Sequence, residues 1–245
     1  MERRDFVKAA AATVFTAGCL GGGTTLDRRD TSTVVRSSNS EGGLSETEFD
    51  SFADETADIY GDNGVWGKQR QTPDHELEYV GAWTDGVELP NRSGRSDSAV
   101  AVYRIRREGT TSDSYFFWLW NAVLSNLSES SGSDGGVKRI YTGVELDEGY
   151  EMGMYSPATD TQTDYTVGVD VFSLEPPKAT LAVSNGEVAP VAGKTRVGDA
   201  GSYRVDWEGD AEVQSVNAAF EAESDSEKDY RFTWVNGHEA TVPLE

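Results

Sequence analysis

The sequence predicts an α+β fold that is mainly β. An N-terminal helix joins an antiparallel sheet that includes one further, aromatic helix, and a small immunoglobulin-like β-sandwich follows. Three patterns predict this. Apolar residues recur at helical spacing after residue 44. Alternating apolar segments fill most of the chain. Short strands at regular intervals, with Asn-Gly pairs between them, follow residue 176. The likeness to an immunoglobulin module is one of architecture alone, since a chain with one cysteine lacks the Cys…Trp…Cys pattern.

Residues 1–18 read as a signal peptide. Arg3 and Arg4 precede Asp5-Phe6-Val7-Lys8 and a short apolar stretch from Ala9 to Ala17. That stretch is too short to cross a bilayer, which takes about 20 apolar residues. Basic residues before it and Thr16-Ala17-Gly18-Cys19 after it make a twin-arginine export signal that ends at a lipoprotein cleavage site. The expected course is passage through the twin-arginine (Tat) machinery as a folded body, trimming to Cys19, and lipidation of that thiol. The protein is then held at the outer face of the cytoplasmic membrane. Soluble secretion is the alternative. Residues 19–43, rich in Gly, Ser and Thr, read as a flexible tether spanning roughly 25–30 Å.

Residues 44–175 read as an α+β body. Ser45 and Glu48 form a capping-box pattern, and Phe49, Phe52, Ala53, Thr56, Ile59 and Tyr60 follow at helical spacing. Residues 76–84 alternate as a strand, with Asp85-Gly86 as a hairpin turn into residues 87–89. Residues 98–107 form another strand. In residues 113–128, positions 116, 119, 120, 123, 124 and 127 are apolar, which is helical spacing over a run too long for an ordinary strand. This segment is therefore predicted as a helix with a buried aromatic face and Trp118 turned outward. Strands are predicted at 137–146, 150–155 and 165–174. Glu175-Pro176-Pro177 is the expected boundary to a β-sandwich over 176–245, in which Asn185-Gly186 and Asn236-Gly237 carry type I′ turns.

The net charge is -22, from 43 acidic and 21 basic residues. Self-repulsion on this scale destabilises a compact state in dilute buffer. At about 1 M salt the Debye length is only about 3 Å, and the repulsion is largely screened. Together with scarce lysine and the export signal at Arg3, Arg4 and Cys19, this acidity resembles the twin-arginine-exported lipoproteins of halophilic archaea. The resemblance covers residues 1–19 and the composition. It implies an address and a salty medium, and it implies no activity. Such a surface repels nucleic acid, and no basic stripe with interleaved aromatics offers a strand-binding face.

Catalytic signatures are sparse. His75 and His238 are the two histidines, and no paired-histidine zinc motif or Gly-x-Ser-x-Gly elbow occurs. Acidic pairs are too numerous to single out a glycosidase pair, and neither Asp160–Asp164 nor Asp58–Asn63 has EF-hand spacing. No cofactor is predicted. Arg104 and Arg106 share one face of a strand and form a small anion patch, or else pair across the sheet with acids such as Glu76 or Glu78. Asn91-Arg92-Ser93 and Asn126-Leu127-Ser128 are glycosylation acceptor patterns, with Asn91 in the more open loop.

The expected role is that of a cell-surface protein that binds a partner or has a structural part in the envelope, the partner being an envelope protein or a polysaccharide. The alternative is an exported hydrolase of glycosidase type that works through carboxylates.

Overall fold

A computed structural model describes residues 23–36, 43–61, 77–105, 113–126, 136–168, 179–224 and 231–244. Its strands are β1 (Thr24–Arg36), β2 (Leu77–Glu88), β3 (Gly94–Ile105), β4 (Asp113–Ser125), β5 (Val137–Leu146), β6 (Tyr150–Ser156), β7 (Tyr165–Val167), β8 (Ala179–Leu181), β9 (Gly186–Pro190), β10 (Gly198–Asp199), β11 (Ser202–Ala211), β12 (Val213–Ser224) and β13 (Arg231–Pro243). The one described α-helix, α1, spans Glu46–Tyr60. The fold is thus mainly β, with antiparallel pairing throughout. A five-stranded sheet runs β1-β13-β5-β11-β9, a six-stranded sheet runs β10-β6-β12-β4-β3-β2, and β7 pairs with β8.

Helix α1 forms where its sequence pattern places it. The Ser45 hydroxyl accepts from the Glu48 amide at 3.4 Å, and the Glu48 carboxylate accepts from the Ser45 amide at 2.8 Å, so two orphan donors of the first turn are satisfied. Phe49, Ala53, Thr56 and Tyr60 are its buried face. Phe52 and Tyr60 meet Trp120 edge-on at 6.0 and 5.5 Å between ring centres, which places α1 over β4. On the opposite face of β4, Phe117 meets Phe232 of β13 edge-on at 5.2 Å. The six-stranded sheet is therefore the middle layer. One of its faces packs on the five-stranded sheet, and the other is covered by α1 and by Tyr165 of β7, whose hydroxyl accepts from the Asn217 amide at 3.0 Å.

This layering corrects the helix predicted at 113–128. Residues 113–125 form the central strand β4, paired along its length with β3 and β12, and residues 127–128 lie outside the described residues. A strand buried on both faces carries apolar residues at odd and even positions alike, so its period of two disappears from the sequence. Trp118, predicted outward, is 1% exposed, and its indole N–H donates to Asn217 Oδ1 at 2.8 Å.

Three further expectations change. Residues 24–36, predicted as tether, form β1, paired with β13 over thirteen residues. Its even positions from 24 to 34 are exposed and its odd ones, Thr33 apart, are more buried, which reads as a strand once a partner is present. The hairpins predicted at Asp85-Gly86 and Asn236-Gly237 are absent, because both glycines lie inside continuous strands, β2 and β13. A Cβ on Gly86 would meet Asp97 Oδ1 at 2.5 Å, and one on Gly237 would meet Tyr141 Cζ at 2.5 Å. These glycines let a neighbouring side chain cross the backbone, which is the other use of glycine in a strand. Finally, the sheets are not divided at residue 176. β5 lies between β11 and β13, and β12 lies between β4 and β6, so segments from both sides of that point share each sheet.

Candidate functional site

The outward face of the five-stranded sheet carries the most organised set of polar side chains. Strand alternation and register place Asp30, Gly237, Tyr141 and Asp206 in one row across β1, β13, β5 and β11. The next row holds Ser32, Val235, Gly143 and Arg204. The two glycines leave room for neighbouring side chains to cross the backbone. Tyr141 lies across Gly237, and its hydroxyl donates to Asp30 Oδ1. Arg204 lies beside Gly143, where a Cβ would come within 2.9 Å of Arg204 Cβ. Its guanidinium stacks over the Tyr141 ring, 3.6 Å from the ring centre.

Asp206 ties this face together. It takes a two-pronged contact from Arg204, Nε to Oδ1 at 2.6 Å and Nη2 to Oδ2 at 3.0 Å. Arg139 Nε donates to Oδ2 at 2.9 Å from the other side. Arg139 also lies 3.4 Å from Glu208 and 3.9 Å from Glu239, and Glu239 pairs with Arg28 at 3.1 Å. Planar guanidinium forks hold a carboxylate in one orientation, which an ammonium would not do. Burial pulls the Arg139 pKa down, but the hydrogen bond and charge of Asp206 outweigh it and the guanidinium is held more firmly protonated. Burial, then the Asp30 bond and charge, push the Tyr141 hydroxyl well above its ordinary value, with Arg204 in opposition.

On this face an open cleft of about 410 Å³ is lined by Asp30, Ser32, Tyr141, Glu145, Lys194 and Arg204 among others. The volume is in the range of small-ligand sites, roughly 300–1,000 Å³. The cleft offers carboxylate acceptors at Asp30 and Glu145 and cationic donors at Lys194 and Arg204. Since both oxygens of Asp206 are engaged by arginines, its part is to orient those groups.

The residues predicted from sequence lie elsewhere. Arg3, Arg4, Cys19, His75 and Arg106 are outside the described residues. Arg104 lies opposite Glu78 in the β2–β3 register, with its guanidinium 5.8 Å from the centre of the Tyr115 ring. His238 is buried on the inner face, Nε2 being 3.3 Å from Asp27 Oδ2. Asn91 is exposed in the 3-10 turn Pro90–Arg92, and its side-chain amide donates to the Pro243 carbonyl at 3.0 Å. Asn126 is exposed just after β4. Among the described residues, no group of three or more His, Cys, Asp or Glu is placed to hold a metal ion.

Sequence reasoning did not find the cleft. Asp30 stood within the expected tether. Arg139, Tyr141 and Glu145, or Arg204 and Asp206, share a face only as alternate residues of strands, and only sheet order brings β5 and β11 together. Gly143 inside an apolar strand was the available signal.

No protein-family model and no curated protein matches the sequence. Among solved structures, one titled "Pore forming protein" aligns with a TM-score of 0.40 at 8% identity, covering 69% of this chain and 90% of its own. Clostridium perfringens delta-toxin aligns with a TM-score of 0.42 at 7% identity, covering 69% of this chain and 88% of its own. A likeness at this level carries no argument about function.

Proposed function

We propose that this is an exported protein, lipid-anchored through Cys19 at the outer face of the cytoplasmic membrane, which binds an acidic, hydroxyl-rich polysaccharide of the envelope. The location rests on Arg3, Arg4, the apolar stretch and Cys19. The binding role rests on one observation, the cleft lined by Asp30, Tyr141, Glu145, Lys194 and Arg204, in which Asp30 accepts from Tyr141 and Arg204 is held by Asp206 and stacked on Tyr141. Asp30 and Glu145 suit sugar hydroxyls, and Arg204 with Lys194 suits a uronate or sulfate substituent. Preorganisation favours binding because the side chains are ordered before the ligand arrives. Such a surface carries a polyanion only at high salt, where the remaining acidic surface is screened.

The test is calorimetry of the body with acidic and neutral envelope polysaccharides at high salt. Arg204→Ala is expected to weaken binding of the acidic polymer by about tenfold, equivalent to about 1.4 kcal/mol. Arg104→Ala, on the other sheet, should leave it unchanged. Equal binding by both variants and the parent would remove the cleft from the function.

A further inference from the structure

The position of β1 has a consequence for how the body meets the membrane. Cys19 precedes Gly23 by four residues, and four residues reach at most about 14 Å even when fully extended. Gly23 is not a loose end. Its carbonyl accepts from the Leu244 amide at 2.9 Å, and Thr24 pairs with Pro243 at the start of the thirteen-residue ladder. The same corner is tied to the other sheet. Asn91 Nδ2, in the turn between β2 and β3, donates to the Pro243 carbonyl at 3.0 Å, and that turn is itself held to the end of β4 by the Asn126 amide donating to the Ser93 carbonyl at 2.6 Å. A lipid on Cys19 would therefore pull on a braced corner of the sandwich, through a link too short to let the body tumble freely.

We propose that the end of the sandwich formed by Gly23, the Pro90–Arg92 turn and Pro243 rests against the lipid headgroups, so that β1 leads away from the membrane. The idea rests on the lipidation at Cys19 proposed above. Arg92, exposed in the left-handed region at φ 56 beside Asn91, is a cation that this end offers to headgroup phosphates. A strand of thirteen residues is about 43 Å long at about 3.3 Å each, so the far end near Leu146 and Glu148 stands clear of the bilayer. Asp30, six residues along β1, places the cleft about 20 Å above the near end and opens it sideways, where an envelope polymer can reach it.

The test uses the full lipidated protein in phosphatidylcholine–phosphatidylglycerol vesicles containing a nickel-chelating lipid. The only native cysteine is blocked by lipid, so a spin label attaches to a single introduced thiol. Nickel relaxation is expected to be roughly fivefold stronger at Arg92→Cys than at Glu148→Cys, given their separation of about 40 Å. Inserting about twelve Gly and Ser residues between Leu20 and Gly21 should erase the difference, because the reach then exceeds the height of the body. Mass spectrometry of the same samples reports the lipid on Cys19. Equal relaxation with the lipid present overturns the orientation and leaves the anchor standing. Absence of the lipid overturns both.

Discussion

At the scale of residues, the five-stranded sheet shows how two glycines and one carboxylate organise a surface. Gly237 exists in mid-strand because Tyr141 passes over it. Gly237→Ala would press a methyl group against the Tyr141 phenol and the Arg29 carbonyl, and this overpacking is expected to cost about 1–3 kcal/mol. Chemical denaturation checks this, and Gly61→Ala is no control because Gly61 has a left-handed φ of 85. Asp206 is nearly buried between Arg139 and Arg204, so Asp206→Ala leaves two partly buried guanidinium groups without their shared partner. The expected loss is about 3 kcal/mol, the lower end for a broken buried ion pair because both arginines keep some solvent contact. Arg139→Ala should cost less, because Asp206 still holds Arg204.

At the scale of elements, β4 and α1 make opposite cases. In β4, Trp120 is 1% exposed and packs on Phe52 and Tyr60, which fastens the helix to the sheet. Trp120→Ala is expected to cost about 3–5 kcal/mol and to release α1, which protease sensitivity within 46–60 would report. Helix α1 itself was legible because a cap is local chemistry. Ser45→Ala is expected to cost about 1 kcal/mol. Hydrogen bonds from the Ser45 backbone, then its side chain, hold the Glu48 carboxyl below its ordinary value. A lowered folded-state pKa means the stabilisation is present above the unfolded value and is lost as pH falls through the folded one. The cap should therefore fade below about pH 4, as helix circular dichroism can follow. Tyr60 adds a buried tie, its hydroxyl donating to Asp97 Oδ2 at 2.8 Å.

At the scale of the whole molecule, charge and buried phenols set the limits of stability. Burial raises the pKa of Tyr60, Tyr141, Tyr165 and Tyr203, reinforced at Tyr60 and Tyr141 by the charges of Asp97 and Asp30. A raised folded-state pKa contributes stability below the unfolded value, about 10, and that contribution declines as pH rises beyond it. Alkaline unfolding should accordingly begin near pH 10–11, and its midpoint should move upward in Tyr203→Phe, where only a bond to the Pro157 carbonyl is given up. The net charge of -22 acts over the whole surface. The body is expected to lose structure below about 0.5 M salt, as unscreened carboxylates repel. An unchanged melting temperature on dialysis into dilute buffer would contradict this.

What the sequence determined by itself is local or compositional. The capped helix over 46–60, the dominance of β structure and the strongly acidic balance follow from neighbouring residues or from counts. The tertiary structure decided everything that depends on who lies beside whom. It turned 113–125 from part of an apparent helix into the doubly buried β4, made 24–36 an edge strand by supplying β13, and moved Gly86 and Gly237 from turns to crossing points. It also assembled the cleft, whose Asp30, Tyr141 and Arg204 are 111 and 63 positions apart. The physical reason is that a strand's hydrogen bonds and one of its faces belong to its neighbours. Its identity, unlike that of a capped helix, is therefore not written within its own residues.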